Sequence, residues 1–229
     1  NTGGVVITAK GGASGDGGVV TLLNEKGAID LSGGIDVSRG ASGTNDGTIQ
    51  LKADGSITGK GNLIGDTNGA LVASTTGTVG AQNISLTGNV GGTAGTKAGN
   101  TGNALGTVVF STASTGTNGS VTYYESTGLT IDTVGGKGAL SSPAGKAASS
   151  VASTSGVSTL AGGSNGAVVI AAGGTLDVNQ AIVSTPSAAG VGGAVLLESA
   201  GALTVTNNGT TKLGAITTLS LIHISEPTR

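Results

Sequence analysis

Residues 18–37 read GVVTLLNEKGAIDLSGGIDV. Three aliphatic pairs sit in this stretch, Val20/Leu22, Ile29/Leu31 and Ile35/Val37, each spaced by two. A period of two is that of a strand with one buried face. Gly27 and the Gly33-Gly34 pair interrupt the run, so each strand is only a few residues long. Three short strands joined at glycine corners read as one turn of a coil.

The pattern recurs. A glycine followed by apolar residues at +2 and +4 occurs at Gly18, Gly47, Gly69, Gly106, Gly119, Gly166 and Gly193, with Gly3 (Val5, Ile7) as an eighth. In six of these units a second glycine follows eight or nine residues on: Gly27, Gly55, Gly77, Gly128, Gly174 and Gly201. Four of them lead a strand, at Ile29/Leu31, Leu176/Val178, Leu203/Val205 and, more weakly, Ile57 alone, and Gly128 leads Leu129/Ile131. The pair after Gly128 is one residue out of register, which reads as a bulge or a slipped corner. Third apolar elements are expected at Ile35/Val37, Leu63, Ile84/Leu86, Ala181/Val183 and Leu213. The segments 91–105 and 136–165, built of Gly, Ala, Ser and Thr, read as loops inserted between coils. The 13-residue step from Gly106 to Gly119 does not fit the repeat.

One coil of three short strands cannot bury its own inner face. Stacked coils can, because each strand then pairs with its equivalents above and below. The expected fold is therefore all-β, a parallel β-helix of about seven or eight coils forming a single domain over 1–218. An antiparallel sandwich is the alternative. It draws on the Asn-Gly turns at Asn68, Asn118, Asn165 and Asn208. Three of these precede a repeating strand at one fixed place, which favours coil corners.

Composition narrows the functions. Glycine supplies 46 of 229 residues, yet 36% of the chain is hydrophobic, more than a flexible linker carries. Phe110, Tyr123 and Tyr124 are the only aromatic residues, so the core is thin and aliphatic, with Phe110 and Tyr123 as plugs. Net charge is −2, which offers no basic footprint for nucleic acid. No run is long and apolar enough for a membrane-spanning helix. The chain has no cysteine, and its one histidine, His223, lies in the C-terminal stretch 219–229, so residues 1–218 can assemble neither a nucleophile–histidine pair nor a histidine-ligated zinc site. No phosphate-cradling glycine motif is complete. Asp30, Asp36, Asp132 and Asp177 alternate with inward aliphatics and are expected to face outward. Arg39 lies close in sequence to Asp30 and Asp36, the pattern a carbohydrate-cleaving β-helix enzyme with carboxylate-bound calcium would need. Tyr124 alone would offer such a groove an exposed ring. The expectation is that the chain is not an enzyme and has no catalytic, cofactor or metal residues. Uncharged outward positions, such as Ala167/Val169/Ala171 and Ala194/Leu196, form an apolar strip that could dock a loop or another rod.

Residues 219–229 read LSLIHISEPTR and lack glycine. They resemble the translation of a transposase-end adapter used in short-read DNA libraries, and are expected to be a non-native tail on a fragment of a longer, metagenomic reading frame. Units such as GAIDLSGGIDVSRGASGTNDGTIQLKADGSITG (27–59) and GAVLLESAGALTVTNNGTTKLGAITT (193–218) resemble the repeat region of filamentous haemagglutinin-like large exoproteins. This resemblance covers most of residues 1–218. It implies a right-handed parallel β-helix exported through an outer-membrane transporter by two-partner secretion. Such a segment would be an extracellular or outer-membrane-surface adhesin stalk of a Gram-negative bacterium, displaying parts that meet host-cell surfaces or glycans. The passenger stalk of a single-chain autotransporter is the variant of that reading. No functional residue of the family transfers to a numbered position here.

Overall fold

The computed structural model describes residues 6–77, 82–89, 102–114, 119–135, 137–140, 149–151, 154–161, 166–186, 192–206, 216–218 and 222–225. Every regular element among them is a strand. In chain order these begin with β1 (Ile7–Thr8), β2 (Val19–Asn24), β3 (Ile29–Leu31), β4 (Ile35–Asp36), β5 (Thr48–Ala53) and β6 (Ile57–Gly59). The long β7 (Leu63–Thr75), β8 (Ile84–Leu86), the long β9 (Ala104–Ser114), β10 (Val121–Glu125) and β11 (Leu129–Ile131) follow. Next come β12 (Thr133–Val134), β13 (Lys137–Leu140), β14 (Ser149–Val151), β15 (Thr154–Ser155) and β16 (Val157–Ala161). The chain continues through β17 (Val168–Ala172), β18 (Leu176–Val178), β19 (Ile182–Pro186), β20 (Val195–Ser199), β21 (Leu203–Val205), β22 (Ile216–Thr218) and β23 (Ile222–Ser225).

Two parallel sheets carry the fold. The seven-stranded sheet runs β23-β20-β17-β10-β8-β6-β3. The twelve-stranded sheet holds β1, β2, β4, β5, β7, β9, β11, β16, β18, β19, β21 and β22. Inward side chains of both sheets meet in one hydrophobic cluster, including Ile35, Ile49 and Leu71 from the larger sheet and Ile57, Ile84 and Val168 from the smaller. The register is direct. In the smaller sheet Ile29, Ile57, Ile84, Val121, Val168, Val195 and Ile222 oppose one another in succession. In the larger sheet Val20, Ile49, Leu71, Val108, Ile131, Val178 and Val205 do the same. Among the described residues antiparallel pairing, which a sandwich would need throughout, is confined to the small ladders β12–β15 and β13–β14.

The repeat is shifted midway along the chain, and this resolves the irregular 13-residue step. Strands led by Gly18, Gly47, Gly69 and Gly106 lie in the larger sheet, whereas those led by Gly119, Gly166 and Gly193 lie in the smaller. Gly106 and Gly119 therefore lead successive strands of one pass, β9 and β10, in different sheets. Second strands shift the other way: Ile29/Leu31 belongs to the smaller sheet, Leu129/Ile131, Leu176/Val178 and Leu203/Val205 to the larger. Period-two patterning states which face of a strand is buried, and nothing in it distinguishes two sheets that share one core.

Several expected boundaries move. The stretch expected as a loop over 136–165 contains β16, whose Val157 and Thr159 are buried and which pairs with β9 and β19. Ile131 opposes Val108 and Val157 opposes Phe110, so β11 and β16 lie end to end along β9. The excursion between them leaves the wall opposite Val109, and its Val134 packs back onto the outer faces of Val72 and Val109. Part of the 91–105 insertion is likewise wall, since Ala104 and Leu105 begin β9 and Leu105 is buried; residues 91–101 lie outside the described set. In β19 the inward residues are Ile182 and Ser184, not Ala181 and Val183. Val121 pairs with Val168 and Leu129 with Leu176, so the corner after β10 has the same length as the one after β17; Gly128 stands one residue later within it, beside Thr175, and there is no bulge. Leu213 lies outside the described residues. Within the tail, Ile222–Ser225 pairs in parallel with β20.

Hydroxyls close the corner from the larger sheet to the smaller. Thr75 Oγ1 donates to the Gln82 carbonyl, Thr112 to Gly119 and Thr159 to Gly166, each seven residues on. These threonines and Ser184 form one inward column, Thr75–Thr112–Thr159–Ser184. The corner itself is tight: an added Cβ at Gly119 would stand 2.6 Å from Thr112 Cβ and Oγ1. Replacing Thr112 by Val keeps the shape but strips the Gly119 carbonyl of its donor. Thr112→Val is expected to cost about 1–2 kcal/mol, read as a shift in urea midpoint at constant m-value. A change below about 0.3 kcal/mol would show that the hydroxyl does not hold the corner.

Candidate functional site

The outer-face arrangement expected of an enzyme is not assembled. Asp30 is on β3 in the smaller sheet, and Asp36 is on β4 in the larger. Asp36 Oδ1 accepts hydrogen bonds from Ser38 N–H (2.9 Å) and Ser38 Oγ–H (2.6 Å), as a local turn does. Arg39 turns to Asp46, with Nη1 at 3.6 Å from Oδ2. Asp132 accepts from Thr133 N–H and from the side chains of Asn179 and Gln180 at the root of the excursion between β11 and β16. Asp177, at the middle of β18, is half-buried between inward Leu176 and Val178. Tyr124 lies half-buried on the outward side of β10. Among the described residues no three of His, Asp and Glu converge as metal ligands.

Carboxylates do act at the corner ahead of β2 and β5. Asp16 Oδ1 accepts from Thr44 N–H, Thr44 Oγ1–H and Asn45 N–H, and Oδ2 accepts from Asn45 Nδ2–H. The Asn45 side chain and the neighbouring N–H donors hold its carboxyl down at about 2. Asp46 repeats the arrangement one pass on: Oδ1 accepts from Arg39 N–H and Oδ2 from Asn68 N–H. Each side chain binds the backbone of the next pass, so these corners are clamps.

A polar cluster inside the core is where unusual chemistry collects. Glu125 ends β10 and, following Val121 and Tyr123 at period two, points inward; it is 0% exposed. Its Oε2 accepts from Tyr123 Oη–H (2.7 Å) and Leu105 N–H (3.0 Å). Its Oε1 accepts from Ser126 N–H (2.9 Å), Thr127 N–H (3.2 Å) and Thr127 Oγ1–H (3.1 Å). Beside it Asn103, also fully buried, accepts from Leu63 N–H at Oδ1 and donates from Nδ2 to the carbonyls of Leu86 and Tyr124. Ser126 closes the cluster by donating from N–H and Oγ–H to the Asn103 carbonyl. Burial pushes the Glu125 carboxyl up against the opposing pull of its donors. Burial, followed by the nearby glutamate charge, pushes the Tyr123 phenol up as well.

The cluster sits at the shift in the repeat. Asn103 ties β7, β8 and β10 together, and Glu125 ties β10 to β9 and to the corner that leads into β11. Its signal was present in the order Val121-Thr122-Tyr123-Tyr124-Glu125, because a strand with Val121 and Tyr123 inward must also bury Glu125. A carboxylate with five donors and no cation among the described residues is built to accept hydrogen bonds, and it is fully buried. Comparisons with family models, curated proteins and solved structures find no match for the chain.

Proposed function

We propose that this chain is a non-enzymatic stalk segment, a right-handed parallel β-helix in a filamentous haemagglutinin-like exoprotein displayed at a bacterial surface. The observation that carries the reading is the unbroken parallel register of equivalent aliphatics, Ile29 through Ile222, along the smaller sheet. A wall built by repeating one step along one axis supplies length and stiffness, which is what a stalk needs. Two further features support it: the polar groups of Asp16, Asp46, Asn103 and Glu125 are spent on joining adjacent passes, and Asp30 and Arg39 are held apart. Export by a two-partner transporter and presentation of adhesive parts to host surfaces or glycans belong to the same proposal.

The mechanism is geometric and gives a length. Seven passes at ~4.8 Å each span roughly 30–35 Å. Inserting residues 6–225 in frame between a membrane-anchored rod and a fluorescent reporter is expected to move the reporter outward by about that distance, as read by energy transfer to a membrane dye. An unchanged distance, or proteolytic loss of the reporter from the insertion, would count against the stalk.

A further inference from the structure

The five donors around Glu125 leave no place for a proton. A carboxylate offers about four lone-pair positions on its two oxygens, and three of the five donors are backbone N–H groups that cannot turn. Only the hydroxyls of Tyr123 and Thr127 can exchange donating for accepting. Among the described residues Tyr123 Oη has no partner but Glu125, and its ring lies against Phe110, with centroids 5.2 Å apart. Turned round, its O–H would face apolar surroundings. Thr127 differs, because its Oγ1 lies 3.1 Å from Glu125 Oε1 and also 3.4 Å from the Gly128 carbonyl oxygen.

We propose that Glu125 and Thr127 form a proton-operated latch at the corner between β10 and β11. With Glu125 ionised, Thr127 Oγ1–H donates to Oε1. When a proton enters from solvent onto Oε1, Glu125 donates to Thr127 Oγ1, and the threonine hydrogen turns to the Gly128 carbonyl. Tyr123 keeps donating to Oε2 in both states. The switch thus changes how tightly the corner into β11 is tied at Gly128. The raised acidity range of the buried carboxyl brings the exchange above the ordinary carboxylate range. Apart from Tyr123, no titratable group faces Glu125 from the described neighbours: β9 offers the Leu105 N–H, β17 the methyl of Ala172 opposite it, and the corner Ser126 and Thr127.

The test follows two groups in one titration of the full chain. In a Tyr124→Phe background Tyr123 is the sole tyrosine, read by ultraviolet absorbance, while the Glu125 carboxyl is read by carbon-13 NMR. The expected result is a Glu125 titration above the ordinary range with the Tyr123 signal flat, both in this background and with Thr127→Ser. With Thr127→Val the proton must be met by Tyr123, so its signal now follows the Glu125 titration. A Tyr123 signal that titrates with Thr127 intact overturns the latch, and so does one that stays flat in Thr127→Val. If Thr127→Val does not fold, the Thr127 Cβ shift in the unmutated corner decides: it must move together with the Glu125 carboxyl, and constancy overturns the proposal.

Discussion

Phe110→Ala is expected to lower stability by about 3–5 kcal/mol, the largest loss from any single truncation in the core. Phe110 is 1% exposed on β9, and its ring meets that of Tyr123 across the core at an interplanar angle of 46°. Within the sheet its neighbours are Ala73 on one side and Val157 on the other. Ala73 is the smallest residue of this column and stands between Leu51 and Phe110. After truncation nothing moves in. The strands on both sides are held by ladder hydrogen bonds, Ala73 is already minimal, and Tyr123 is anchored by its hydroxyl on Glu125. An unrefilled cavity adds its own penalty to the lost transfer energy. Phe110→Leu, which keeps most of the volume, should cost less than about 1.5 kcal/mol. Denaturant midpoints at matched m-values separate the two, and equal losses in both variants would mean that the site collapses freely.

That aromatic pair also marks how far the sequence could be read. Val121, Val168 and Val195 were legible as inward residues of short strands, because glycines bracket each run and the period is two. Their sheet was not legible: Gly119-Ser-Val-Thr-Tyr and Gly106-Thr-Val-Val-Phe carry the same pattern and occupy different sheets. What separates them is polar and local. Thr112 must find the Gly119 carbonyl, and Asn103 must find Leu63, Leu86 and Tyr124 together. In a chain so rich in threonine and asparagine, no single occurrence stands out. Strand β16 was hidden for a related reason, since Val157-Ser-Thr-Leu-Ala buries a threonine where a hydrocarbon is expected. The outward Asp30 and Asp36 were placed correctly as strand residues, but sequence proximity to Arg39 said nothing of the sheet change between them. The Asp16 and Asp46 clamps were equally invisible, since their partners lie in the following pass.

Glu125→Ala should lower stability by about 2–4 kcal/mol at low pH, because two fully buried donors, Leu105 N–H and Tyr123 O–H, lose the carboxyl that accepts from them. Water can reach the part-buried donors at Ser126 and Thr127, so they add little. The loss should shrink as pH rises, and the sign follows from linkage. Burial raises the carboxyl of folded Glu125 above its ordinary value of 4.5, so the folded state binds that proton more tightly than the unfolded chain does. The side chain's contribution is complete below the ordinary value. It declines as pH climbs from there through the raised one, because ionising a buried group without a cation works against the fold. Asp16, held at about 2, behaves oppositely and lower on the scale: its contribution is present above its ordinary 3.8 and fades as pH falls through 2. The two windows do not overlap, and the difference between the parent chain and Glu125→Ala cancels every other carboxyl. A plot of that difference against pH should therefore fall across the interval that opens at pH 4.5 and runs up through the raised value. A difference that grows across this interval would show that the five donors outweigh desolvation and that Glu125 is held ionised in the core. Tyr123→Phe combined with Glu125→Ala removes one orphaned donor, so it should be less destabilised than Glu125→Ala alone by about 1–2 kcal/mol.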